Sequence, residues 1–504
     1  MGVSSGLWEL PADDNSLSLS PGQIYHYWIE VDNSRSTNAG TRIAVTDPFA
    51  ACIDWRVFYP DDPNFTQPVS VVRYLGNGTL EDCYPNGEKA ELATPDEPQK
   101  LPKNNQIVIY ELSTAWTISR SYSQSERDSS IFLDVAALAD ESLGGANFAE
   151  LDILAKGSSY LSSLGTNAVE LLPPADSLYN REWGYGTSHY LAPDYELGYP
   201  EGNYSPTANR DLAQLVSSLH AKQIRFFVDV VMTFAKEDPY NYIDVENFHI
   251  DDSNSVPNDP DAKTSGRTDG RRDTRNGFGS TLFRYAKLMT TYDPVSEAQK
   301  NISPAAQYML VCITHWIQVF RVDGLRLDSV ENIGNWDFVK NFKDCARQLF
   351  ADRWQASGQG SQDLDGIASR FLVVGEQLEL PIALIKGKRL DGLWNELFQE
   401  RIRAAILGEA ARGDNFEWTV RNAINYLTSD GSTDGSQVIN YITKHDVEGF
   451  RHERLFTMLS SFPRVQIEKS YKLAFTCLLT AVGIPIFLAG EEFADQHDFF
   501  GQGG

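Results

Sequence analysis

Short apolar runs recur along the chain from residue 106 onward, and longer segments with helical periodicity separate them. This alternation predicts parallel strands joined by helices, and eight such runs predict a closed (β/α)8 barrel, an α/β fold of the TIM type. A doubly wound open sheet is the alternative, but no glycine-rich phosphate turn follows the first strand. The eight runs are 106–112, 167–173, 224–231, 320–330, 371–377, 392–395, 438–446 and 484–492.

The preceding residues have a different pattern, in which short alternating or aromatic runs lie between clusters of Gly, Pro, Asn and Asp. This pattern predicts an all-β sandwich domain over residues 1–104, which we expect to be carbohydrate-binding-like. The catalytic barrel then covers residues 105–504. The polar segment 234–303, after the third strand, is too long for an ordinary loop and predicts an inserted subdomain over the barrel mouth.

Composition narrows the possible partners. The formal net charge of −26 argues against nucleic acid, which requires a basic surface. No run reaches the ~18 to 20 apolar residues of a membrane span, and the N-terminus lacks a basic segment followed by an apolar one. The five cysteines form no C-x-x-C pair and the eight histidines are scattered, so a metal-dependent hydrolase is disfavoured. We therefore expect a cytoplasmic protein without metal, cofactor, nucleic-acid or membrane partner.

Charged residues at the predicted carboxyl ends of the strands carry the candidate chemistry, because barrel enzymes place their active sites there. Arg326 and Asp328 are two residues apart and face the same side of strand four, where the guanidinium would keep the carboxylate ionised. Glu376 ends the apolar run FLVVGE, where burial would raise its pKa toward that of a general acid. Retaining glycoside hydrolysis requires at least two carboxyl groups, and these lie ~5 to 5.5 Å apart. A structural ion pair is the competing interpretation.

Three segments carry a family resemblance. DGLRLDSVENI, VVGEQ and YITKHD, in this order, resemble the second, third and fourth signature segments of the α-amylase superfamily. Segments 164–177, 182–204 and 483–493 resemble its second-strand, sugar-stacking and eighth-strand segments, so the resemblance covers the chain after residue 105. The N-terminal sandwich is similar to the one that precedes the barrel in isoamylases, pullulanases, branching enzymes and trehalohydrolases.

The resemblance implies a role for each matching residue. Asp328 would form the glycosyl-enzyme ester, Glu376 would protonate the leaving oxygen, and Asp446 would stabilise the distorted sugar. No calcium is expected at the family's usual site, because Thr233 and Phe234 replace the Asn-His pair that ends strand three. The residues expected to bind the same sugar are Arg326, His445, Tyr185, Trp183 and Tyr190, with Asp229 supporting Arg326.

The sequence leaves the reaction open. Hydrolysis of α-1,4 or α-1,6 glucosidic bonds in an α-glucan or maltooligosaccharide competes with transglycosylation, as in a glucan branching enzyme, because both use the same covalent intermediate. A noncatalytic glucan-binding relative is a third possibility, which the missing Asn-His pair favours slightly. The chain stops at Gly504, just after strand eight, so we expect a barrel that lacks its last helix, in a fragment or a truncated protein.

Overall fold

Eight parallel strands close into a barrel in the computed structural model of the chain. Each strand pairs with the next one along the chain, and the last pairs with the first, where Ile486 lies beside Ile109. The strands, labelled β1 to β8, are Ile109–Leu112, Ala168–Leu171, Arg225–Val230, Gly324–Leu327, Leu372–Gly375, Gly392–Asn395, Val438–Asn440 and Ile484–Leu488. The residues that the structure describes are 2–4, 7–8, 17–32, 40–57, 67–92, 94–114, 130–140, 142, 159–178, 183–198, 206–236, 246–250, 259–263, 275–278, 280–293, 298–358, 360, 363–376, 382–425, 434–446, 453–463 and 465–495.

The barrel confirms the fold predicted from the apolar runs. Each of its eight strands lies within one of the eight predicted runs. All residues of β2, β4, β5 and β6 are buried. Because helices cover the outer face and side chains fill the interior, such strands are apolar on both sides rather than alternating. This double burial explains why the sequence marks these strands so clearly.

Helices pack around the barrel, and the polar residues at their ends explain where several of them start. Ser303 accepts a hydrogen bond from the Ala306 amide at the start of the helix that leads into β4. Asn395, the last residue of β6, likewise caps the next helix through the Phe398 amide. The described helices are Phe132–Ala139, Tyr160–Leu164, Ala208–Ala221, Pro304–Phe320, Val330–Ile333, Trp336–Ala356, Leu364–Ala368, Ile382–Lys386, Glu396–Leu407, Phe416–Ile424, Leu455–Ser460 and Ile467–Thr480.

The N-terminal part of the chain is antiparallel β-structure, which confirms the predicted β domain. Its longest strand, Val69–Gly76, pairs with three others. Hydrogen bonds tie this domain to the barrel, for example from the Tyr84 hydroxyl to Asn209 at 2.8 Å. The domain limits remain predictions. The strands are Gly2–Ser4, Leu7–Trp8, Ile24–Tyr27, Ile29–Asp32, Arg42–Val45, Ile53–Asp54, Val69–Gly76 and Thr79–Asp82.

Further strands lie between β3 and β4, in the segment predicted to be an inserted subdomain. Thr281–Phe283 pairs on its two sides with Phe234–Ala235 and His249–Ile250. Met289–Asp293 and Ala298–Ile302 form a hairpin that leads into the next helix. The limits 234–303 stay a prediction, because parts of that segment lie outside the described residues. Another hairpin, of Ala175–Ser177 and Thr187–Pro193, follows β2.

Two further observations concern the cysteines and the membrane. All five cysteines are free thiols in the structure. Cys52, Cys83 and Cys312 are buried, whereas Cys345 and Cys477 are partly exposed. Within the described ranges, no helix is both long and apolar enough to cross a bilayer.

Candidate active site

The guanidinium of Arg326 lies at the centre of a cluster of carboxylates at the carboxyl ends of β3, β4 and β5. Its Nη1 donates to Asp229 at 2.5 Å and to Asp328 at 3.0 Å, and its Nη2 donates to Glu376 at 2.7 Å. Asp229 stands beside Arg326 in the pairing of β3 with β4, so the sheet register brings these two together. Arg326 is fully buried, so losing one of its anionic partners would cost about 3 to 5 kcal/mol.

Glu376 is held by both its backbone and its carboxylate. Its amide donates to the carbonyl of Leu327, and its Oε2 accepts from the Ser329 amide at 3.1 Å. Lys444 donates to its Oε1 at 3.1 Å. Burial alone would raise the pKa of Glu376, but Arg326 and Lys444 outweigh burial and the pKa is lowered. The sequence expectation of a raised pKa at this carboxyl is therefore wrong for the free protein.

Asp328 shows the opposite departure. Burial raises its pKa well above the ordinary value, and the neighbouring carboxylates Glu376, Asp229 and Asp446 raise it further, although Arg326 opposes them. The expectation that one adjacent guanidinium keeps this carboxyl fully ionised is wrong, because that guanidinium is shared among three carboxylates. In the free protein, Asp328 thus keeps a proton to a higher pH than an exposed aspartate does.

Lys444 joins Glu376 to Asp446. Its Nζ lies 3.1 Å from a carboxylate oxygen of each. The Lys444 ammonium also lies 4.6 Å from the centre of the Trp394 ring, and the Arg326 guanidinium lies 4.4 Å from the same centre. The indole of Trp394 therefore contacts both cations of the site and restrains them through cation–π attraction.

His445 connects the third carboxylate to the barrel interior. Its Nδ1 lies 2.5 Å from Glu111 on β1, and its Nε2 lies 3.3 Å from Asp446 and 2.8 Å from the Tyr185 hydroxyl. Burial would lower the pKa of His445, but Asp446 and Glu111 outweigh burial and raise it to about 10. A protonated ring donates from both nitrogens, so the Tyr185 oxygen accepts from His445 while its proton goes to Asp229. Among the described residues, Glu111 Oε2 and Asp229 Oδ1 are the buried oxygens of this network that have no hydrogen-bond partner.

Aromatic rings border the charged cluster on one side. The Tyr185 ring stacks on His445, with centroids 5.3 Å apart and planes 19° apart. Trp183 meets the same imidazole edge to face at 5.5 Å. Both rings are partly exposed, as a sugar-stacking surface requires. The structure thus brings Tyr185 and Trp183 to the site.

Tyr190, the third aromatic candidate, does not belong to this site. Its side chain is only 3% exposed and its ring packs against Phe283 and Tyr308. Its hydroxyl donates to the carbonyl of Phe234 at 2.5 Å. The residue lies on a strand buried along its whole length, so no face of the ring is available to a sugar. Its proposed substrate contact is corrected to a core-packing role.

No protein-family model matches the chain. Comparison with individual proteins gives a pullulanase, branching enzymes and a trehalohydrolase as relatives. Pullulanase from Bacillus subtilis (strain 168) is 24% identical over 451 residues, 81% of this chain and 54% of the pullulanase. A 1,4-alpha-glucan branching enzyme from Corynebacterium efficiens is 22% identical over 350 residues, 69% of this chain and 35% of the enzyme. Malto-oligosyltrehalose trehalohydrolase from Saccharolobus solfataricus is 21% identical over 523 residues, 99% of this chain and 72% of the enzyme.

These relatives all belong to the α-amylase superfamily. This chain is similar to them and carries the three segments that resemble the superfamily's signatures. It spans about half the length of the pullulanase and a third of the branching enzyme. The crystal structure of pullulanase type I from Bacillus subtilis, complexed with maltose, has a TM-score of 0.59 at 18% identity, over 91% of this chain and 57% of that one. That likeness concerns the fold.

Two buried carboxyls of the barrel were missed by sequence reasoning. Glu111 and Glu170 lie opposite each other in the pairing of β1 with β2. Neither oxygen of Glu170 has a hydrogen-bond partner among the described residues. Burial, with the charges of Glu111 and Asp229, raises its pKa well above the ordinary value, so Glu170 keeps a proton to a higher pH than an exposed glutamate does. A charged residue inside an otherwise apolar strand is the signal that marks both positions.

The usual calcium site of the α-amylase superfamily does not fit the residues found here. Thr233 and Phe234 stand at the end of β3, and the buried Thr233 hydroxyl has no partner among the described residues. Phe234 contributes an aromatic ring, which packs against Phe278. Across the described part of the chain, no three His, Cys, Asp or Glu side chains are placed to hold a metal ion. A hard cation needs six or more oxygen ligands, and of these two side chains only Thr233 supplies an oxygen.

Proposed function

We propose that this protein is a retaining glycoside hydrolase that cleaves α-glucosidic bonds in α-glucans through a covalent glycosyl-enzyme intermediate. The observation that carries the proposal is the shared guanidinium of Arg326, which binds Asp328 through one terminal nitrogen and Glu376 through the other. The two carboxyls are therefore separated by no more than the width of one guanidinium and two hydrogen bonds. This width is compatible with the ~5 to 5.5 Å between the two carboxyls of retaining glycosidases.

Each carboxyl then has a distinct task. Asp328 attacks the anomeric carbon and forms an ester, while Glu376 gives a proton to the departing glycosidic oxygen. Glu376 next takes a proton from a water molecule, whose oxygen attacks the ester and releases Asp328. Two inversions give net retention of the α configuration. Asp446, held by Lys444 and His445, accepts hydrogen bonds from sugar hydroxyls beside the reacting bond.

The carboxyls of the site outnumber its cations, which affects the order of their pKa values. Six carboxyl groups surround three cationic groups in the described site, so the carboxyls share too few positive charges. In the free protein the pKa of Asp328 is raised and the pKa of Glu376 is lowered, the reverse of the order that a nucleophile and a general acid require. Substrate binding must therefore reverse this order before the bond breaks. The six carboxyls are Glu111, Glu170, Asp229, Asp328, Glu376 and Asp446, and the cations are Arg326, Lys444 and His445.

The substrate side of the proposal is supported by the aromatic border and by the names of the relatives. Tyr185 and Trp183 offer partly exposed rings next to the carboxylates, where the apolar face of a glucose unit stacks. Pullulanase, branching enzyme and trehalohydrolase are the relatives described above. We therefore propose an α-glucan or maltooligosaccharide as substrate, cleaved at α-1,4 or α-1,6 bonds.

Transglycosylation is the second candidate, because the similarity to a branching enzyme covers 69% of the chain. The two candidates differ only in whether water or a sugar hydroxyl attacks the ester. Product analysis on maltooligosaccharides and pullulan separates them, with Asp328→Ala as the inactive control. New reducing ends support hydrolysis, whereas a change in iodine colour without reducing ends supports transfer. Oligosaccharide binding by the wild type with no turnover of either kind supports the noncatalytic alternative.

The cytoplasmic location predicted from the sequence is a further part of the proposal. Cell fractionation with an antibody to the protein tests it, and recovery outside the cytoplasm would contradict it.

A further inference from the structure

Arg275 is a buried arginine whose hydrogen bonds all end on backbone carbonyl oxygens. Its Nε donates to Asn332 at 2.6 Å, and its Nη1 donates to Asp261 at 2.8 Å and to Phe283 at 2.7 Å. Its Nη2 donates to Thr233 at 3.2 Å. The side chain is 7% exposed. Four carbonyls thus converge on one guanidinium.

These carbonyls come from separate parts of the chain. Thr233 follows β3, Asp261 and Phe283 belong to the segment before β4, and Asn332 follows β4. A ring of carbonyl oxygens concentrates negative potential and is the kind of ligand set that also binds a hard cation. Each buried carbonyl left without a partner would cost about 1 to 3 kcal/mol. The guanidinium donates to all four and joins the segment to the barrel rim, and the Thr233 carbonyl also accepts from the Phe283 amide at 3.2 Å.

The contact with Asn332 continues to the candidate active site. The Asn332 side chain accepts from the Asn276 amide at 2.9 Å and donates to the Ser329 hydroxyl at 2.8 Å. The Ser329 amide in turn donates to the Glu376 carboxylate. Ser329 has a φ of 43°, a left-handed conformation that a side chain rarely adopts unaided. The hydrogen bonds from Asn332 help to hold it.

The chain also leaves room for this arginine. A Cβ on Gly334 would lie 2.5 Å from the Cδ of Arg275 and 2.8 Å from its Nε. Gly334 has a φ of 76°, so a side chain would be strained there as well. The guanidinium site is therefore shaped by glycine on one side and carbonyls on the others.

We propose that Arg275 is a covalently attached cation that fixes the segment before β4 to the barrel rim, and that it positions Glu376 through Asn332 and Ser329. The part about Glu376 rests on the proposed function. The part about the cation does not, because it concerns folding stability alone.

Thermal unfolding of Arg275→Ala tests the cation. Its Tm should fall by several degrees, and millimolar methylguanidinium should restore part of the loss while leaving the wild type unchanged. Wild-type Tm should not respond to a chelator or to calcium chloride. An Arg275→Ala variant with the same Tm as the wild type would overturn the proposal. A change in Tm on adding calcium or a chelator that is as large in the wild type as in Arg275→Ala would also overturn it.

Arg284→Ala is the matched control. Arg284 is also buried and donates to the His249 carbonyl at 2.9 Å, but its other partners are carboxylates, of Asp259 at 2.7 Å and Asp261 at 3.9 Å, and not the ring of carbonyls. Its variant should lose stability without rescue by methylguanidinium, and equal rescue of both variants would overturn the proposal. If Arg275→Ala does not fold, Arg275→Lys should retain a higher Tm than Arg275→Gln, and equal Tm values would contradict a cationic role.

Kinetics test the positioning role separately. At a temperature where the variants are folded, Arg275→Ala should lower kcat about 10-fold or more with little change in KM, because Glu376 acts only in the transition state. Arg284→Ala should keep the wild-type kcat. Equal kcat for the wild type and Arg275→Ala would overturn the positioning role. An inactive wild type would refute the proposed function and leave the melting result to decide the cation.

Discussion

Lys444 donates a 3.1 Å hydrogen bond to Glu376, the carboxyl proposed as general acid. A cation next to a general acid favours its ionised form, which is the unreactive form for the first step. The Lys444 ammonium beside Glu376 therefore limits activity at high pH, where the acid is ionised.

Replacing Lys444 by Met should extend activity to higher pH. Without this cation the pKa of Glu376 rises, so the acid stays protonated to a higher pH and the alkaline limb of kcat/KM moves upward. The pH profile of kcat/KM measures the shift, and Lys444→Arg should keep the wild-type limb. An alkaline limb that does not move in Lys444→Met would contradict the assignment of Glu376 as the acid.

Asp328→Ala should abolish turnover while leaving oligosaccharide binding measurable. A nucleophile that forms the covalent intermediate is worth on the order of 10⁴-fold or more in kcat. Calorimetry with a maltooligosaccharide checks binding, and reducing-end release checks turnover. In the wild type, a slow fluorinated glycosyl substrate should label Asp328, visible by peptide mass spectrometry. A label on another residue would refute the proposed nucleophile.

Glu376→Gln should lose activity mainly on substrates with poor leaving groups. An activated aryl glycoside needs no protonation, so its ester forms but is hydrolysed slowly for lack of a base. Azide should accelerate release of the sugar and yield an α-glycosyl azide, because it attacks the same ester without needing a base. Asp328→Gly with azide should give the β product, if any. An α product from both variants would be inconsistent with the two roles.

The raised pKa of His445 predicts a pH-dependent stability. Its ordinary value of 6.5 applies to the unfolded chain and about 10 to the folded one, so the folded protein binds this proton more tightly. The resulting stabilisation is fully present below 6.5 and is lost as the pH rises toward 10. Tm measured across this range should fall, and less steeply in Glu111→Gln. Parallel curves for the two proteins would rule out His445 as the cause.

The sequence predicted the barrel strands and the shared face of Arg326 and Asp328, because both follow from local burial and strand geometry. It did not predict the contact of Lys444 with Glu376, since that contact joins β5 to the end of β7 and depends on barrel closure. The predicted direction of the Glu376 pKa shift was wrong, because it took no account of Arg326 and Lys444, which together outweigh burial. Tyr190 was misplaced because sequence does not distinguish a core aromatic from a ligand-facing one. Arg275 lies in a polar segment with no apolar pattern to mark it.

The pairing of β8 with β1 has a consequence for biosynthesis. The strand that completes the barrel leaves the ribosome last, so β1 must wait with one edge unpaired until Ile486 emerges to meet Ile109. At ~5 to 20 residues per second, this delay lasts on the order of 20 to 75 seconds. During that time the open edge is a site for mispairing with other nascent chains. Slow translation or a crowded polysome should therefore lower the yield of native protein, even though neither changes the equilibrium stability of the folded protein.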